Sequence, residues 1–125
     1  CLNVVTEAPG RAGAVLVRAI EPVRSLARWR ARRPDLPLHL VASGPGRVTR
    51  ALGLTRAHDG LDLTRSPLVI VRREGPHGPI GSGTRVGIRR AVEQPWRFWL
   101  ASSPSISRAR GSAAGPFPEP VHGRA

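Results

Sequence analysis

Apolar and polar positions along this chain group into short runs separated by turn residues. Residues 2–6 and 14–20 are two Val-rich apolar runs, and Pro9, Gly10 and Gly13 lie between them. Short β-branched runs bounded by Gly and Pro predict a β-hairpin with a long loop. With the loop centred near Gly10 and Arg11, positions whose numbers sum to about 21 face each other across the ladder. Asn3 and Arg18 then become cross-strand neighbours. A buried Asn or Arg is costly unless paired, so the pair predicts a pocket rather than a plain core hairpin.

Further along, the period changes. Glu21-Pro22 opens a predicted helix that Pro34 ends, with Val23, Leu26 and Ala27 as its apolar stripe. Arg24, Arg28 and Arg32 share one face of it at i,i+4 spacing, where like charges repel and either water or an anion is wanted. After a Pro-punctuated connection over 34–42, Gly44-Pro45 starts a second helix. Val48, Ala51 and Leu52 form its buried side and Gly53 its C-terminal cap. Its first turn offers free N–H groups beside Gly46 and Arg47, an arrangement suited to an anion. Residues 55–63 read as a turn segment around Asp59-Gly60. Strands are expected at 68–72, 84–89 and 96–101, and a Gly- and Pro-rich loop over 74–83. From Arg108 the chain holds almost no large apolar side chains, so 109–125 is expected to be a disordered tail. The predicted fold is α+β: mostly antiparallel strands forming an open, curved sheet with two helices, an incomplete domain over 1–108.

Charge narrows the class of partner. The chain has 125 residues, 20 basic against 8 acidic side chains and a formal net charge of +12. Every basic residue is Arg. Such a balance favours a polyanion. One Cys excludes a disulfide framework and a Cys-rich zinc site, and the four His residues lack metal-ligand spacing. No apolar run approaches the length of a membrane-spanning helix. The chain begins with Cys1 and contains no Met, so it reads as the back part of a longer protein. A lipid-bearing N-terminal Cys is normally followed by a polar tether, whereas here a strand is expected at once.

Catalytic patterns are sparse. A Ser43, His58 and Asp59 or Asp62 triad can be assembled on paper, but no G-x-S-x-G elbow supports it, and His58-Asp59 is more simply turn chemistry. The acidic residues are scattered and offer no evident general base.

Several segments together carry more. NVV followed by VLVRAIEP, then SGPGRVTRALGLTRAHDGLDL, then TRVGI and PWRFWL with a closing SISR, resemble the alkyladenine (3-methyladenine) DNA glycosylase family. The order and near-spacing match from residue 1 to about 108. The resemblance implies base excision repair: a monomeric enzyme that flips an alkylated purine out of double-stranded DNA. It would then hydrolyse the N-glycosidic bond with an activated water, using no metal or other cofactor. It also implies a cytoplasmic, nucleoid-associated location. By position, Asn3 matches the Asn that lines the base pocket and disfavours guanine through its 2-amino group. Arg18 matches the Arg beside the catalytic centre, which helps hold the water and the adjacent phosphate. Ile88 matches a position whose backbone carbonyl helps place that water, and Arg47 and Arg56 match basic positions near the DNA backbone. The family's catalytic Glu, the aromatic residues that sandwich the flipped base and the Tyr that wedges into the duplex all precede the point matching Cys1. The chain alone is therefore expected to be inactive. After Ile88, Arg89-Arg90-Ala91 stands where the family has an aromatic or His and a small residue. The rival reading is a non-catalytic basic nucleic-acid-binding protein, a degenerate relative or an RNA binder.

Overall fold

A computed structural model describes residues 1–65, 67–72 and 74–106, so the expected tail at 109–125 lies outside the described residues. The described chain is α+β, with two helices and two small antiparallel ladders rather than one continuous curved sheet. It divides into two compact units, residues 1–75 with 104–106 and residues 76–103.

In the first unit, β1 (Asn3–Val5) pairs antiparallel with β2 (Ala14–Leu16). Asn3 faces Leu16, not Arg18, which lies beyond the ladder. The turn explains the shift. Gly10 takes φ +93 and the Arg11 N–H donates to the Ala8 carbonyl at 3.1 Å, which centres the reversal on Pro9-Gly10. Pro then Gly at the middle of a turn is the chemistry of a type II reversal. Moving the centre back by one residue moves every cross-strand partner by two.

The first helix is shorter than the pattern predicts. α1 runs over Leu26–Arg32, after Ser25 in a left-handed conformation, so Glu21-Pro22 does not open it. Val23 is 80% exposed and belongs to no apolar stripe. Trp29, half-buried, is the α1 residue that packs on the core.

α2 (Pro45–Leu52) forms where expected. Gly53 sits at φ +71 and ends it, with its N–H on the Arg50 carbonyl and the Leu54 N–H on the Thr49 carbonyl at 2.8 Å, the paired closure of a Schellman motif. Val41, Ala42, Val48 and Ala51 are the buried core, and Leu2, Val17, Ile20, Trp29, Leu36 and Leu52 pack around it. The hairpin's exit strand is bound to the start of α2 through the backbone. The Ile20 N–H donates to the Ala42 carbonyl at 3.2 Å, and the Gly44 N–H to the Arg18 carbonyl at 2.9 Å. Residues 68–72, expected as a strand, are not one among the described residues. The Ile70 N–H instead meets the Leu63 carbonyl at 2.9 Å, which ties this segment back to the turn segment.

In the second unit, β3 (Ile80–Gly83) pairs antiparallel with β4 (Arg97–Leu100). β3 therefore falls in the segment expected as loop, and 84–89, expected as strand, is the start of the connection. The reason is steric. A Cβ at Gly81 would lie 2.5 Å from the Trp99 ring, so the ring occupies space that only glycine leaves open.

Candidate nucleic-acid interface

In the first unit, a cleft of about 1330 Å³ lies between β1 and the segment that follows α2. β1 places Asn3 on its wall, and the Arg56–His58 3-10 turn places Arg56 there as well. Both are exposed. That 3-10 turn is fixed by a reciprocal cap: the Thr55 hydroxyl accepts from the Ala57 N–H at 3.3 Å, while His58 Nδ1 accepts from the Thr55 N–H at 3.1 Å. Nδ1 is thus taken up in the cap, which agrees with the turn-chemistry reading of His58. Ser43 is not on the cleft wall, so no Ser–His–Asp arrangement forms.

Two carboxylates also reach the cleft, Asp59 and Asp62. Asp62 accepts from the Thr64 hydroxyl at 2.6 Å, from the Thr64 N–H at 2.9 Å and from Arg65 Nε at 2.8 Å. These bonds, led by the hydroxyl's, hold its carboxyl below the ordinary range and leave it a structural anion. Asp59 is exposed and has no side-chain hydrogen bond among the described residues, so nothing there orients it as a base. The sequence pattern DGLDL gave these two acids no distinguishing signal beyond a turn.

The other expected residues are placed as follows. Arg18 is half-buried on the strand exit, outside the cleft lining, and reaches α2 through its carbonyl bond to Gly44. Arg47 stands in the first turn of α2, exposed, with Nη1 donating to the Leu40 carbonyl at 3.3 Å and to that of Ser43 at 3.5 Å. The same helix end carries no capping side chain and no acidic residue in its first turn. Ile88 belongs to the second unit, half-buried in the β3–β4 connection directly after Gly87 at φ +78. Asn3 and Arg56 are thus brought to one cleft, Arg18 and Arg47 to the strand exit and the start of α2. No group of His, Cys, Asp and Glu able to hold a metal occurs among the described residues. No helix among them is long and apolar enough to cross a membrane.

Comparison with known proteins identifies the family. Residues 1–104 match the Methylpurine-DNA glycosylase (MPG) family. A protein of Bradyrhizobium diazoefficiens, provisionally named a 3-methyladenine DNA glycosylase, is 42% identical over 119 residues, 95% of this chain and 56% of its own length. A protein of the same provisional name from Rhizobium meliloti is 48% identical over 108 residues, 86% of this chain and 56% of its own. Another, from Chlorobium luteolum, is 43% identical over 112 residues, 89% of this chain and 57% of its own. The chain therefore spans about half the length of the curated relatives it matches. With the family matched across both units' described residues nearly to their end, this chain belongs to the methylpurine-DNA glycosylase family.

Proposed function

We propose that this chain supplies the base-selecting and backbone-gripping part of a DNA glycosylase acting on alkylated purines of the 3-methyladenine type. The observation that carries the reading is the shared cleft of Asn3 and Arg56 in a chain matched to this family. Asn3, on the rigid ladder wall, meets the extruded base and disfavours guanine by opposing its 2-amino group. Arg56 at the rim, and Arg47 with the uncapped N-terminus of α2, meet phosphates; the helix end adds free N–H donors to the charge. Arg18 holds the attacking water and the neighbouring phosphate. The general base belongs to polypeptide outside these residues, since Asp62 is tied to Thr64 and Arg65 and Asp59 is unoriented. The chain alone binds duplex DNA and leaves the N-glycosidic bond intact. The partner is double-stranded DNA containing a damaged purine, met as a monomer at the nucleoid.

The test is base selection in the complete glycosylase containing this segment. Asn3→Ala is expected to raise excision of guanine relative to hypoxanthine or 3-methyladenine. Unchanged discrimination would remove Asn3 from the pocket. Phosphate contact is checked separately: Arg56→Ala should flatten the log–log salt dependence of duplex binding by about one unit.

A further inference from the structure

The β3–β4 ladder has two unlike faces. On one, Trp99 and Arg97 stand opposite Gly81 and Gly83. The Trp99 ring covers Gly81, and the Arg97 guanidinium lies 4.9 Å from the centroid of that ring. This face is filled by the ladder's own side chains. Strand alternation assigns Trp96, immediately before β4, and Phe98 to the other face. They are 59% and 51% exposed, the kind of adjacent aromatic surface that marks a contact site.

A cation is already fixed behind one of these rings. The Arg85 guanidinium lies 5.0 Å from the Trp96 centroid. Its Nη2 donates to the Arg90 carbonyl at 3.2 Å and to the Ala91 carbonyl at 3.4 Å, so the connection closes around it and holds the group in place. Even with Arg85 against it, Trp96 is more than half exposed, room enough for a flat partner beside it. Arg89 and Arg90, both exposed, stand in the same connection. Flat aromatic surface alone would accept many apolar ligands. Flat surface backed by a fixed guanidinium and flanked by arginines selects a partner that is both aromatic and anionic.

We propose that Trp96, backed by Arg85, is a stacking platform for an unpaired base of single-stranded DNA, with Arg89 and Arg90 on the flanking phosphates. The platform rests on the reading of this chain as DNA-binding and adds a second contact of different ligand class from the duplex. Stacking on an aromatic ring is worth about 1–3 kcal/mol per base, so one ring should change affinity by roughly tenfold or more.

The experiment measures binding of the 125-residue chain to labelled oligothymidylate by fluorescence anisotropy, with inorganic polyphosphate and a duplex as parallel ligands. Trp96→Ala should weaken oligothymidylate binding by roughly tenfold and leave polyphosphate affinity unchanged. Trp96→Phe should keep most of the affinity, and Arg85→Lys should lose part of it although the charge is kept. An Ala variant that binds oligothymidylate like the parent, or that loses polyphosphate affinity by the same factor, overturns the platform. Should the Ala variant not fold, a Phe variant no better than background overturns it equally. Retained duplex binding with no effect of Trp96 on oligothymidylate sinks the platform alone; failure to bind either DNA sinks it together with the DNA-binding reading.

Discussion

In the first unit, α2 is held because Val48 and Ala51 fall on one side of a helix whose ends are set by Gly44 and Gly53. In the second, the β3–β4 ladder closes because Gly81 has no side chain where the Trp99 ring must lie. One region is ordered by apolar groups recurring at a helical period. The other is ordered by an absence that an aromatic ring fills, followed by an arginine stacked on that ring. The contrast teaches why similar numbers of residues leave such different traces in sequence: a period is visible along one segment, whereas a vacancy has meaning only beside its distant occupant.

The comparison is broken most severely at Val48, which is fully buried. Val48→Asp places a carboxylate in an aliphatic core and is expected to cost several kcal/mol, enough to lose the first unit's helical signal in far-UV circular dichroism. A stably folded Asp variant would mean the core is not where the first unit's stability resides. The corresponding blow in the second unit is Gly81→Ala, where the new methyl must displace the Trp99 ring. About 2 kcal/mol of destabilisation and a loss of the near-UV tryptophan signal are expected. A neutral effect there would show that the ring is not held over the glycine.

How much could be read in advance follows the same division. α2 was legible to its boundaries because pattern, N-terminal Gly-Pro and C-terminal Gly agree. β4 was legible from its alternating aromatics. β3 was not, since Ile80–Gly83 has two glycines where a strand signal needs side chains. The start of α1 was missed because Glu21-Pro22 resembles a helix opening, while the chain reverses again at Ser25 before the helix begins. At the site, the hairpin was legible but its register was not: Asn3 meets Leu16 because the turn centres on Pro9-Gly10. Asn3 and Arg56 were singled out from resemblance. That both line one cleft depends on how the 55–63 turn segment folds beside β1, which no local pattern encodes.

Smaller effects sharpen the contrast within the first unit. Gly53→Ala forces a left-handed φ of +71 on a residue with a Cβ and crowds the Arg32 guanidinium, which lies 2.9 Å from that Cβ position. About 1 kcal/mol of destabilisation is expected from denaturant titration, and a stabilising effect would contradict the Schellman closure. Smallest is the exposed Arg33–Asp35 pair, with contacts of 2.6 and 2.8 Å. The hydrogen bonds from Arg33 lower the Asp35 carboxyl to about 2. A lowered carboxyl stabilises the folded chain above the ordinary carboxylate pKa of about 3.9, and that contribution fades as pH falls through about 2. Asp35→Asn should flatten the acid limb of the stability profile below about pH 4, and an unchanged limb would show that the pair does not persist in solution.

The claim that these residues hold recognition without the chemistry is tested most directly by adding the chain to duplex DNA containing one hypoxanthine. Retention of the duplex and formation of abasic sites are followed together. Salt-sensitive binding without abasic sites is the expected result. Abasic sites formed by this chain, and abolished by Asp59→Asn, would contradict it.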